Sequence, residues 1–115
     1  MRQVEISQIV RKKMIALKEY LLERFDEKAA NKAMMSLVNA MDSLGLFPEK
    51  GVSISNIYNL DTDYYYLFST HNYLVYRFDE KTVTILQMFD ERQDFMKTLF
   101  GVSGRTQESI DYWGE

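Results

Sequence analysis

Apolar side chains fall at Val10, Met14, Leu17, Leu21 and Phe25, three or four residues apart. That spacing lays them in one stripe of an amphipathic helix, and Ser7 just ahead of it is a natural N-cap. The pattern predicts a helix from Ser7 to about Arg24, preceded by a short β-like start over Gln3–Ile6. Asp26 reads as a second N-cap. After it Ala30, Ala33, Met34, Leu37, Val38, Met41 and Leu44 share one side of a second helix. Gly45 is its predicted stop, with Pro48 just beyond. Two helices in close succession, each with one apolar face, make an αα-hairpin that packs on a common layer.

Past Gly51 the period drops to about two. Tyr64–Ser69, Tyr73–Phe78 and Thr82–Phe89 are dense in Tyr, Val, Ile, Phe and Thr, which is strand composition. The separators Thr70-His71-Asn72 and Asp79-Glu80-Lys81 are short, so an antiparallel meander is expected. Residues 52–63 read as a loop or an irregular edge strand. Phe95, Leu99 and Phe100 suggest a final short helix from about Arg92, stopped by Gly101. The expected class is α+β, with an N-terminal helical hairpin packed on a small, mostly antiparallel sheet in the order β-α-α-β-β-β-α. One domain spans 1–101, and 102–115 form a weakly structured C-terminal tail.

Composition narrows the picture. A chain of 115 residues, 46% hydrophobic, suits one domain rather than two. No stretch approaches the roughly 18 consecutive apolar residues of a membrane span, and Met1–Ile6 does not read as a signal peptide. Cysteine is absent, which removes thiol nucleophiles and zinc–thiolate sites and fits a reducing, cytoplasmic setting. Residues 1–50 carry nine basic and seven acidic side chains, whereas 51–115 carry five and ten. The second half therefore lacks the basic footprint of a nucleic-acid binder.

The strand around Tyr73 holds the candidate chemistry. Alternation puts Tyr73, Val75 and Arg77 on one face and Leu74, Tyr76 and Phe78 on the other. The second set is the better match for packing under the helices, leaving the first on an open face. Arg92 follows the last strand at the mouth of the same sheet. Two guanidiniums beside aromatic rings suit phosphate or carboxylate recognition. The alternative is that both simply pair with Asp79, Asp90, Glu91 or Asp94.

The helical hairpin, then Leu-Phe-Pro-Glu-Lys-Gly, then Asn72-Tyr73-Leu74-Val75-Tyr76-Arg77-Phe78, then Val83–Phe95 with its run Ile-Leu-Gln-Met-Phe-Asp-Glu-Arg-Gln-Asp-Phe, resembles the RelE/ParE superfamily of toxins. These belong to bacterial type II toxin–antitoxin, or plasmid stabilisation, modules. The resemblance covers roughly residues 1–100. It implies a cytoplasmic, growth-inhibiting toxin whose sheet is partly wrapped by a cognate antitoxin protein. It also implies one of two activities, poisoning of DNA gyrase or ribosome-dependent cleavage of mRNA by a metal-independent endoribonuclease. For cleavage, Arg92 matches the family's arginine after the last strand, Arg77 is an imperfect substitute for one expected at Tyr73, and Asp90 replaces a histidine. Arg92 would then stabilise the phosphate and Arg77 position it, with Tyr73 or Glu91 transferring the proton. These departures leave few cations for cleavage, so inhibition by protein binding ranks ahead of it. A non-toxic interaction module is the competing class, and a homodimer stays open.

Other features carry less. His71, the sole histidine, sits in a predicted turn with no partner assignable from sequence. Asp61-Thr62-Asp63 begins like a calcium loop but has Tyr66 and Asn72 where Gly and Glu are needed. Asp90, Glu91 and Asp94 read as an acidic helix start rather than a metal site, and the methionines as core filling. No cofactor or metal is expected. Tyr112-Trp113 in the polar tail either fold back on the body or contact a partner.

Overall fold

Ser7 begins the first helix with two hydrogen bonds. In the computed structural model, which describes residues 1–101, its Oγ accepts the Val10 N–H at 3.3 Å and donates to the Leu86 carbonyl at 2.9 Å. One hydroxyl thus caps helix α1 (Gln8–Arg24) and fastens it to the sheet. Asp26 Oδ1 accepts the Ala29 N–H at 2.7 Å and opens helix α2 (Glu27–Leu46).

Gly45 does not stop α2, which continues through it to Leu46. The residue is buried against the N-terminal strand, and its carbonyl accepts the Arg2 N–H at 2.9 Å. A Cβ there would stand 2.8 Å from the Arg2 carbonyl oxygen and 3.2 Å from Val4 Cγ2. Glycine is needed for close approach of helix and strand, a requirement that spacing along one helix does not display. The break comes at Phe47 and Pro48, where a 3₁₀ turn (Pro48–Lys50) begins.

The sheet has five strands: β1 (Gln3–Ile6), β2 (Val52–Ser53), β3 (Tyr65–Ser69), β4 (Asn72–Phe78) and β5 (Thr82–Asp90). Their order is β1-β5-β4-β3-β2. β1 runs parallel to β5 and every other pair is antiparallel, so the α+β, mostly antiparallel expectation holds. The 52–63 segment resolves into β2 and a short helix α3 (Ile54–Tyr58) before an irregular stretch. The last helix, α4 (Phe95–Phe100), starts later than predicted because Asp94 caps it, accepting the Lys97 N–H at 3.1 Å. Gly101 ends it in the left-handed region at φ 68°. The tail 102–115, with Tyr112 and Trp113, lies outside the described residues. Among those described, no helix is long and apolar enough to cross a membrane.

Both faces of the sheet are covered. Val10, Leu37, Met41 and Leu44 of the hairpin pack on Leu74, Tyr76, Val83, Ile85 and Met88, with Phe78 partly buried beside them. The opposite face carries a second core of Ile54, Val75, Phe89, Phe95 and Met96, closed over by α3 and α4. A register shift sits between Val75 and Tyr76, where the β4 partners jump from Gln87 to Ile85. This bulge leaves Leu86 as the extra residue and reverses the alternation along β5. Val83 and Ile85 therefore face the hairpin, as does Met88, while Phe89 turns to the second core.

Candidate functional site

The open face expected around Tyr73, Val75 and Arg77 is not bare. Val75 is 0% exposed and Tyr73 half-buried, because Asp94 starts a helix that folds Phe95 and Met96 back over the sheet. A helix of six residues is too short to announce its buried side by periodicity. Arg77 stays exposed at the end of this face and pairs with Asp63 at 3.3 Å.

Arg77 and Arg92 are not brought together. Arg77 stands opposite Thr84, whereas Asn72 stands opposite Asp90. At about 3.3 Å per residue, Arg77 lies about 17 Å along the strand from the Asn72–Asp90 rung, and Arg92 is beyond that rung. Arg92 Nε donates to Asp90 Oδ1 at 2.9 Å while its side chain is 87% exposed. That contact holds the Asp90 carboxyl below its usual pKa and the Arg92 guanidinium above its own. The alternative of carboxylate pairing therefore describes both arginines, although Arg77 chooses Asp63 rather than a nearer neighbour in sequence.

The end of the sheet does gather three of the four candidate residues. Tyr73 is paired with Phe89 across β4 and β5, and Glu91 and Arg92 follow β5 directly. His71 joins them: its Nδ1 lies 3.1 Å from Glu91 Oε1, and its carbonyl accepts the Glu91 N–H at 2.9 Å. The β3–β4 turn makes this contact. Thr70 and His71 both adopt positive φ, 53° and 62°, as a two-residue type I′ hairpin demands. Asn72, nearly buried, steadies the turn by donating from Nδ2 to the Thr70 carbonyl at 2.8 Å. The partner of His71 is invisible in sequence because it comes from a different hairpin.

Sequence reasoning also missed the aromatic surface here. Tyr66 and Tyr73 rings meet edge-on at 5.6 Å, Phe68 and Tyr73 at 5.0 Å, and Phe95 lies 4.9 Å from Tyr73. Burial, neighbouring phenols and the charges of Asp94 and Glu91 raise the pKa of Tyr58, Tyr66 and Tyr73. At neutral pH these phenols are donors, not bases. The signal available was the even-numbered aromatics of β3, Tyr66 and Phe68, sharing one face with the odd-numbered Tyr73 of β4, obscured by reading each strand alone. Among the described residues, no group of three or more His, Asp or Glu is placed to hold a metal ion.

A second surface lies on the hairpin. Met35, Val38 and Leu46 of α2, with Ile15 and Leu22 of α1 and its C-cap Phe25, are exposed. Positions 35, 38 and 46 share one side of α2, facing away from Leu37, Met41 and Leu44. Exposed apolar residues thus occur on both helices of the hairpin.

Comparison with known proteins supplies the fold. No family model and no curated protein matches the sequence. Among solved structures, a chain of the "Chromosomal ParDE TA system from P. aeruginosa" superposes with a TM-score of 0.64 at 14% identity, covering 78% of this chain and 96% of that one. The architecture is therefore RelE/ParE-like: a helical hairpin on a mixed sheet.

Proposed function

We propose that this chain is the toxin component of a type II toxin–antitoxin pair, inhibiting bacterial growth by binding an essential protein and neutralised by a cognate antitoxin. DNA gyrase is the favoured target. The likeness to a chain of a ParDE TA system supports the toxin reading. The observation that carries the choice of binding over cleavage is the separation of Arg77 and Arg92, each on its own carboxylate. Cleavage of RNA without a metal needs several cations converging on one phosphate. A binding inhibitor needs only a surface. The exposed apolar residues of α1 and α2 offer an antitoxin the kind of seat that an amphipathic segment fills.

The test is induced expression in a bacterial host, alone and together with the product of the adjacent gene. Growth arrest relieved by the neighbour supports the reading. Harmless overexpression contradicts it and leaves a plain interaction module.

One observation favours the second reading, a ribosome-dependent mRNA endoribonuclease. Tyr73, His71, Glu91 and Arg92 share one end of the sheet, so a proton-transfer group and a cation are at hand. In that case Arg92 stabilises the phosphate and Glu91 or Tyr73 moves the proton, with Arg77 too distant to position the same phosphate.

A further inference from the structure

The rings beside α3 and α4 differ from an ordinary core in three respects. Tyr58, Tyr66 and Tyr73 are only partly buried, and Phe68 is 48% exposed. Among the described residues, no hydrogen bond reaches the hydroxyls of those three tyrosines. The nearby charges that act on them are negative, Glu91 upon Tyr73 and Asp94 upon Tyr58.

Both arginines of this half of the chain are engaged elsewhere. Over residues 51–101 the acids are Asp61, Asp63, Asp79, Glu80, Asp90, Glu91 and Asp94, against Arg77, Lys81, Arg92 and Lys97. Arg77 is held by Asp63 at the far end, Arg92 by Asp90, and Lys81 lies in the β4–β5 turn. Lys97 is exposed on α4, and Lys13 of α1 holds its Nζ 4.5 Å from the ring centroid of Phe89, a member of the same core. An anion brought to these rings would meet carboxylates. A guanidinium would meet ring faces that attract cations, phenol oxygens able to accept its N–H groups, and carboxylates to balance its charge.

We infer that this surface docks a basic segment of a protein partner, with an arginine side chain lying on the Tyr66, Tyr73 and Phe68 rings and its charge toward Glu91 and Asp94. The arginine is favoured over lysine because its planar head stacks on rings while its edge donates. The inference does not depend on growth arrest: a harmless interaction module would use the same surface.

The experiment is a two-dimensional NMR titration of the full chain with the peptide acetyl-Ala-Arg-Ala-Arg-Ala-amide, following the ring resonances of Tyr66 and Tyr73. Saturable shifts of both rings are expected, with binding about threefold weaker in Glu91→Gln, an exposed site where the fold is not at stake. Phe68→Ala is expected to weaken it as well. Shifts that do not saturate, or that leave these rings unmoved, overturn the inference. So does uridine 5′-monophosphate moving the same rings where the peptide does not. Binding that appears only in Arg105→Ala assigns the surface to the chain's own tail and overturns the partner.

Discussion

The Tyr76 hydroxyl donates to the Pro48 carbonyl at 2.6 Å and accepts the Gly51 N–H at 3.1 Å. A strand buried at the centre of the sheet thereby fixes the turn that ends the hairpin and starts β2. Gly51 permits it, since a Cβ there would lie 2.5 Å from the same hydroxyl. Tyr76→Phe removes the shared partner of two part-buried or buried backbone groups, and is expected to cost about 1–3 kcal/mol in urea unfolding. Tyr65→Phe is the control: its ring packs on Tyr76 and Phe78, but no hydrogen bond among the described residues uses its hydroxyl. It is expected to change stability by less than about 0.5 kcal/mol.

Burial raises the Tyr76 pKa to about 12, more than the Gly51 N–H bond lowers it. A group whose folded pKa lies above its unfolded value of 10 favours the folded state fully below pH 10. That contribution disappears as the pH rises to about 12. Tyr58, Tyr66 and Tyr73 are shifted in the same direction and add to the loss. Denaturant midpoints are expected to hold steady from pH 8 to about 9.5 and then fall, with a shallower fall in Tyr76→Phe.

Gly45→Ala sets two effects against each other. Alanine improves helix propensity by about 1 kcal/mol. The new methyl, however, meets the carbonyl oxygen of Arg2, the residue just before β1, at 2.8 Å, and backbone cannot swing aside as a flexible side-chain end does. The clash should win, leaving a net loss of about 1–2 kcal/mol. Thermal unfolding checks the sign: an increase in Tm would show that α2 and β1 part without penalty.

These cases show which parts of the fold were readable beforehand. The helical hairpin was legible because its signals are local: Ser7 and Asp26 cap where spacing says helices begin. So were β3, β4 and β5, and the hairpin-facing side of β4. Gly45 was misread as a stop because its constraint lies in Arg2 and Val4, at the far N-terminal end of the sequence. The second core was missed since α3 and α4 are five and six residues long, below any useful period. Along β5 the alternation inverts at Leu86, where the bulge sits. Of the candidate residues, Tyr73, Glu91 and Arg92 lie at one end of the sheet and Arg77 at the other, because Arg77 stands opposite Thr84, far along β5 from Asp90.

The β3–β4 turn carries measurable strain. Thr70, β-branched, and His71 both hold positive φ, at a cost of about 1–2 kcal/mol each. Replacing the pair by Asn-Gly should raise stability by about 1–2 kcal/mol while keeping the hairpin register. Unfolding curves and the retained Asn72–Asp90 pairing by amide exchange are the check.

The arginines separate the two activities. Arg77→Ala with Arg92→Ala removes two exposed ion pairs that are each worth little to folding. If inhibition works through protein binding, the double variant should still arrest growth, within about threefold of the parent's inducer dose. An RNA-cleaving site would lose about 10²-fold or more with its phosphate-binding arginine. Inducer titration on solid medium reads the difference.

The central claim is inhibition by binding rather than by cutting RNA. Its most direct test incubates the purified chain with DNA gyrase, ATP and plasmid, and in parallel with a translating extract. The account predicts plasmid trapped as gyrase-linked broken DNA and mRNA left whole. Intact plasmid together with mRNA cut at the ribosome would contradict it.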